Sequence, residues 1–189
     1  MKIAIIIGSI RLGRQSHRVA HYLEQQLTDS RQETDLIDLA ETPLPLLEER
    51  VGLHPELPQT ALDLSRRLYA ADAVILVTPE YHGSFSGVLK NALDYFYAEF
   101  SRKAIGVAAV SAGKMGGINA SNHLQHVILS MGAFPLPSKL LVPEIYGAFN
   151  ERHDLVNEQT SKNARKFLDD FLWLAGAIAD RKKAATVNA

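Results

Sequence analysis

Five stretches of this 189-residue chain read as strands, at residues 2–7, 33–38, 73–78, 104–110 and 140–142. The third is a near-continuous apolar run with β-branched Val74, Ile75, Val77 and Thr78, the pattern of a strand covered on both faces of a parallel sheet. Between the strands the apolar residues recur at helical spacing. Residues 16–27 place Val19, Ala20, Leu23 and Leu27 on one stripe, and residues 59–71 do so with Leu62, Ser65, Leu68 and Tyr69. Residues 88–100 and 119–131 follow the same period, and a fifth helix over residues 160–183 closes the chain, with a frayed tail expected from Ala184 onward.

Strands alternating with helices imply right-handed βαβ crossovers and a parallel sheet with helices on both faces. The expected fold is α/β and flavodoxin-like, one domain with a five-stranded sheet in the order 2-1-3-4-5. The long irregular segment is residues 39–58, which holds Pro43, Pro45, Pro55 and Pro58; loops of that length are usually functional or interfacial.

Composition removes several function classes. A net charge of -1 provides no basic field for nucleic acid, and the absence of cysteine excludes disulfides, thiolate catalysis and thiolate-bound metal. Any redox role therefore needs a bound cofactor. The apolar run at residues 3–7 is too short for a signal segment or a membrane span, so a cytoplasmic protein without a membrane partner is expected.

In open α/β sheets the ligand lies beyond the carboxyl ends of the strands. After the third strand come Pro79, Glu80, Tyr81, His82, Gly83 and Ser84, read as a loop suited to a flat, polar-edged cofactor. After the first come Gly8, Ser9, Arg11, Gly13 and Ser16, leading into a helix whose first-turn amides favour an anion. Two readings of this loop stand at this point: a phosphate held by Ser9, Arg11 and Ser16, or a helix capped by Ser16 with Arg11 merely solvated. The glycine spacing fits neither a dinucleotide fingerprint nor a P-loop, which favours a mononucleotide. After the fourth strand, Ser111, Ala112 and Gly113 precede Gly116 and Gly117. These glycines read either as a close backbone approach to a flavin-like ring or as a tight turn and helix start.

With these motifs in place, the chain resembles the NADPH-dependent FMN reductases of the flavodoxin-like superfamily, which include quinone, azo-dye and chromate reductases. The residues that carry the resemblance are Gly8-Ser9-x-Arg11 with Ser16, then Pro79-Glu80-Tyr81-x-Gly83-Ser84 with Gly87 and Leu89-Lys90-Asn91-Ala92-Leu93-Asp94, and Ser111-Ala112-Gly113 with Gly116-Gly117. The resemblance implies bound FMN, its phosphate at Ser9, Arg11 and Ser16 and its ring between residues 79–84 and 111–117. It further implies NADPH or NADH as donor, ping-pong transfer to a quinone, azo compound, metal oxyanion or free flavin, and a homodimer or homotetramer. Two positions depart from the family pattern. His82 stands where Asn is common, and Ser86 stands where Pro is common and can serve as a helix cap.

The flavin would carry the chemistry, so no catalytic side chain is assigned. His82 could stabilise charge or deliver a proton, although a loop histidine is more often a spectator. Glu80 is expected to hold the loop by hydrogen bonds rather than to act as a base. Arg14 and Arg18 read as a solvated face, with the 2′-phosphate of NADPH as the alternative partner. His123 and His126, three apart on a helix, lack a carboxylate cluster and suggest a surface or interface role. Tyr95, Phe96, Tyr97 and Phe100 are expected to end the third helix, with some of them buried at a subunit contact. A flavodoxin-type electron carrier that binds FMN without NADPH turnover is the alternative function. A phospho-receiver is disfavoured, because Gly8-Ser9 and Pro79 occupy the positions where it needs acids.

Overall fold

The computed structural model describes residues 1–53, 56–152 and 154–187. Its elements are β1 (Lys2–Ile7), α1 (Ser16–Asp29), β2 (Glu33–Asp38), α2 (Gln59–Ala70), β3 (Ala73–Tyr81), β4 (Ser84–Phe85), α3 (Gly87–Tyr95), β5 (Ala104–Val110), α4 (Ile118–Ser130), β6 (Phe134–Val142) and α5 (Glu158–Val187). Five strands pair in parallel in the order β2-β1-β3-β5-β6, and the two-residue β4 pairs antiparallel with β3. Apart from that hairpin, this is the expected sheet and order.

Alternation along the strands builds two cores. Ile3, Ile5, Ile7, Ile75 and Val77 face one side and pack with α1 and α5, while Ala4, Ile6, Val74 and Leu76 face the other with α2, α3 and α4. Both layers turn their apolar stripes inward, and the site-bearing loops are left at the carboxyl edge of the sheet. Among the described residues no helix is long and apolar enough to cross a membrane.

Several elements differ from expectation, each for a physical reason. β3 runs on to Tyr81, because Pro79 pairs with Val110 and Glu80 with Phe85; Pro79, Glu80 and Tyr81 are strand residues rather than loop. β6 begins at Phe134, not at residue 140. Its Pro135 and Pro137 hid it, yet it is an edge strand, where a missing N–H is tolerated. The buried stripe of α2 is Ala61, Leu64, Ser65 and Leu68, with Leu62 and Tyr69 exposed.

α3 stops at Tyr95 because Phe96 takes an extended conformation (φ -120°, ψ 133°). The turn carries Tyr95, Phe96 and Phe100 into the protein's own core at 3%, 3% and 0% exposure, so only Tyr97 remains outside and the expected subunit contact through these rings reduces to one residue. The described residues of the 39–58 segment are irregular as expected, and His54 and Pro55 lie outside the described residues. Parts of the segment are anchored: Leu44, Leu47, Val51 and Leu57 pack on the core, and Asn91 of α3 accepts the Leu47 N–H while donating to the Pro45 carbonyl. α5 continues past Ala184 to Val187 instead of fraying there; residues 188–189 lie outside the described residues.

Candidate functional site

The carboxyl ends of β1, β3, β5 and β6 converge on a cavity of about 130 Å³. Its walls are Ser9, Arg11, Gly13, Arg14, Gln15 and Ser16 after β1, Pro79, Glu80 and Tyr81 on β3, Val110, Ser111 and Ala112 after β5, and Ile145 and Tyr146 after β6. Ten of the residues singled out from the sequence thus meet in one place: Ser9, Arg11, Gly13, Arg14, Ser16, Pro79, Glu80, Tyr81, Ser111 and Ala112. His82, Gly83, Ser84 and Gly113 do not line it.

The first loop is built from packing upward. A Cβ at Gly8 would sit 2.9 Å from the Leu89 side chain and 3.1 Å from the Val77 carbonyl, so this glycine serves the close approach of α3 to β1 and β3. The Gly8 N–H donates to Val77 at 2.8 Å and its carbonyl accepts the Ser86 hydroxyl. Ser86 in turn caps α3, its Oγ accepting the Leu89 N–H at 3.3 Å, as expected for a substitute of a helix-first proline.

Beyond Gly8, Ser9 is 1% exposed with its hydroxyl 3.2 Å from that of Tyr81. Ser16 is the first helical residue, not the cap. Gln15 holds the cap position without a side-chain bond, and the Ser16 Oγ is buried with no hydrogen-bond partner. The capping alternative for Ser16 therefore fails. A buried unpaired hydroxyl costs about 1–3 kcal/mol. Arg11 is exposed, and its guanidinium has no ion pair or side-chain hydrogen bond among the described residues.

Arg14 is not a solvated charge. It pairs with Asp38 through both carboxylate oxygens, at 2.5 and 2.6 Å, and donates to the Ser9 carbonyl at 2.7 Å. The hydrogen bond to Asp38 holds the Arg14 guanidinium above its ordinary range. At Asp38, burial pushes the carboxyl up, but the bonds from Arg14 and the Ala40 N–H outweigh it and the net direction is down. Burial, then the Arg14 charge, pushes the neighbouring His17 imidazole down; its Nδ1 is buried and unpartnered. Arg18 is held too, donating to the Asn150 carbonyl and lying over the Phe149 ring.

On the second wall, His82 and Gly83 take φ of 50° and 75° and close the β3-β4 hairpin. Positive φ at both central residues is a type I′ turn, for which Asn-Gly is the favoured pair. The amide common at this position in the family thus meets a backbone demand, and histidine is among the residues that tolerate it. His82 is exposed and away from the cavity, while Ser84 Oγ lies 3.1 Å from His123 Nδ1.

Glu80 is a hydrogen-bonding group as expected, but it holds α4 and not its own loop: it accepts the backbone N–H of Asn119 at 2.9 Å and of Ala120 at 3.1 Å, the open amides at the start of α4. On the third wall, Ser111 Oγ and Gly113 exchange hydrogen bonds at 3.0 Å, tightening the turn. Gly116 and Gly117 have φ of 62° and 87°, and a Cβ on them would meet Leu141 at 3.0 Å and Ala109 at 2.8 Å. The tight turn and the close packing are each sufficient to require glycine at these two positions.

Sequence reasoning missed Asp38 and Tyr146. Asp38 ends β2 in register with Ile7, and Tyr146 follows β6, so looking beyond the carboxyl end of every strand would have reached both.

The profile of the NADPH-dependent FMN reductase family matches residues 1–147. The chain is 35% identical over 181 residues to the FMN-dependent NADPH-azoreductase of Staphylococcus aureus, covering 91% of this chain and 94% of that one. Among solved structures it is similar to FerB, a flavoenzyme NAD(P)H:(acceptor) oxidoreductase from Paracoccus denitrificans, at TM-score 0.78 and 27% identity, covering 93% of this chain and 97% of that one. The apo form of the NADH:FMN oxidoreductase EmoB shares the fold at TM-score 0.67 and 21% identity, covering 88% and 87%. With the family profile over residues 1–147 and a relative 35% identical over nearly its whole length, the chain belongs to the NADPH-dependent FMN reductase family of oxidoreductases.

Proposed function

We propose that this protein is an FMN-dependent NAD(P)H oxidoreductase whose cofactor phosphate is taken by Ser9, Arg11 and Ser16. Pro79, Glu80 and Tyr81 form one side of the ring site and Ser111 with Ala112 the other, while His82, Gly83, Ser84 and Gly113 stand next to these residues in the chain and outside the cavity. The observation that carries this reading is the Ser16 hydroxyl, buried beside Arg11 in the cavity without an acceptor. A phosphate supplies what both residues lack: acceptor oxygens for the hydroxyl and a counter-charge for the guanidinium.

FMN, when bound, supplies reversible two-electron chemistry between the nicotinamide donor and an acceptor. The protein binds and orients. The Ser9 hydroxyl, turned inward beside Tyr81, and the Ser16 hydroxyl each have a proton to give to phosphate oxygen. Arg11 adds a permanent cation that can close over it. Glu80 acts by fixing the start of α4, and no side chain is assigned as acid or base.

We further propose that donor and acceptor use one open face in ping-pong order, the acceptor being a quinone, azo compound, metal oxyanion or free flavin. A homodimer or homotetramer is part of the same proposal, for which the exposed Tyr97 and Leu129 supply apolar surface.

Steady-state NADPH oxidation by the FMN-loaded protein with a quinone tests this function. Parallel double-reciprocal lines as quinone is varied are expected. A yellow protein without turnover would instead favour the electron carrier.

A further inference from the structure

Arg14 lies inside the candidate phosphate loop, yet its charge is spent elsewhere. One of its terminal nitrogens donates to both the Ser9 carbonyl, at 2.7 Å, and Asp38 Oδ1, at 2.5 Å, and the other donates to Asp38 Oδ2 at 2.6 Å. The two side chains are 20% and 11% exposed, so the pair is only weakly screened by salt and holds a fixed two-pronged geometry.

Asp38 cannot drift with it. It is the register partner of Ile7, its carbonyl accepts the N–H groups of Glu41 and Thr42 and the Thr42 hydroxyl, and its Oδ1 also accepts the Ala40 N–H. On the loop side, the Arg14 N–H returns to the Arg11 carbonyl at 3.1 Å through Gly13, whose φ is 69°. The segment from Ser9 to Arg14 is thereby tied at both ends to the edge formed by β1 and β2. Ordering such a loop only on binding would cost conformational entropy, which a prior tie removes.

We propose that Arg14 and Asp38 are a positioning pair for the phosphate loop: Asp38 neutralises Arg14, and the Arg14 fork fixes the Ser9 peptide so that Ser9, Arg11 and Ser16 address a single anion. The pair acts through Ser9 and does not itself bind phosphate. This rests on the phosphate assignment made above.

FMN and riboflavin share a ring and differ in the phosphate, so their affinity ratio isolates the loop. The full-length apoprotein, as wild type, Arg14→Lys and Asp38→Asn, is titrated with each flavin by fluorescence quenching. Wild type is expected to favour FMN. Both variants are expected to weaken FMN by about tenfold or more, the worth of one or two charge-assisted hydrogen bonds, while riboflavin stays within about threefold. Asp38→Asn is the sharper arm, because it leaves Arg14 as an unneutralised cation. Tighter FMN binding in that variant would make Arg14 a direct ligand and overturn the proposal. So would an unchanged ratio in both variants, or a parallel loss of both flavins, which marks general structural damage. A wild type that binds both flavins alike, or neither, overturns the phosphate assignment itself.

Discussion

Glu80 supplies from β3 the cap that α4 lacks: its carboxylate accepts the Asn119 N–H at 2.9 Å, although α4 opens on Gly117, which has no side chain to cap with. The negative group also sits at the positive end of the helix. Glu80→Ala should therefore lower stability by about 1 kcal/mol, and Glu80→Gln by less, in urea denaturation. Equal stability of Glu80→Ala and wild type would remove the anchoring role.

Ser86 joins three elements by capping α3 and donating to the Gly8 carbonyl between β1 and β3. Ser86→Ala should cost about 1–2 kcal/mol, above an ordinary cap, because the Gly8 carbonyl also loses its donor. A loss below a few tenths would show that neither bond matters.

His82 is placed by backbone demand, so His82→Asn should retain turnover and its pH profile and raise stability by a few tenths of a kcal/mol. His82→Val, a β-branched residue at φ 50°, should lower stability by about 1 kcal/mol or more. An altered pH profile in His82→Asn would return the histidine to the chemistry.

These residues show which parts of the site were legible. Ser9, Arg11 and Ser16 could be singled out as residues that line the cavity because loop chemistry after a strand is local in sequence. The Arg14-Asp38 pair joins the loop after β1 to the end of β2, 24 residues apart, and carries no local signal, so Arg14 looked solvated. The aromatic run after α3 kept a helical period in sequence, yet burial of Phe96 and Phe100 bends the chain out of the helix. β6 was shortened by prolines that an edge position accommodates, and the α2 stripe was misplaced by one face because Leu62 and Tyr69 are apolar but exposed. His82 needed the hairpin: only its φ explains why an amide suits that position.

The Arg14-Asp38 pair also sets an acid limb. The Asp38 carboxyl is lower in the folded chain than its ordinary value of 3.8, so the unfolded chain binds the proton more readily. The stabilisation is complete above that value and is lost as pH falls through the folded one. Stability of wild type relative to Asp38→Asn should shrink as pH drops below about 4, followed by denaturant melts at each pH. A constant difference across that window would contradict the pairing.

At the opposite end of the sheet, the buried Lys103 ammonium donates to the Leu68 and Tyr69 carbonyls. Burial, then the nearby Lys182 charge, pushes it down from 10.5 to about 8. Between those values the unfolded chain holds a proton that the folded chain has released, so stability should climb with pH, by about 2 kcal/mol after allowing for partial hydration of the ammonium. Lys103→Met should flatten the climb. A wild-type curve that falls over this window would contradict the buried state of the lysine.

The most direct test is Ser16→Ala, measured as thermal stability of the apoprotein and as affinity for FMN. If the hydroxyl is kept for a phosphate, removing it relieves an unpaired buried group. The apoprotein should then be as stable as wild type or more so, while FMN binds about tenfold more weakly. A less stable apoprotein with unchanged FMN affinity would mean that Ser16 serves the fold and that the phosphate lies elsewhere.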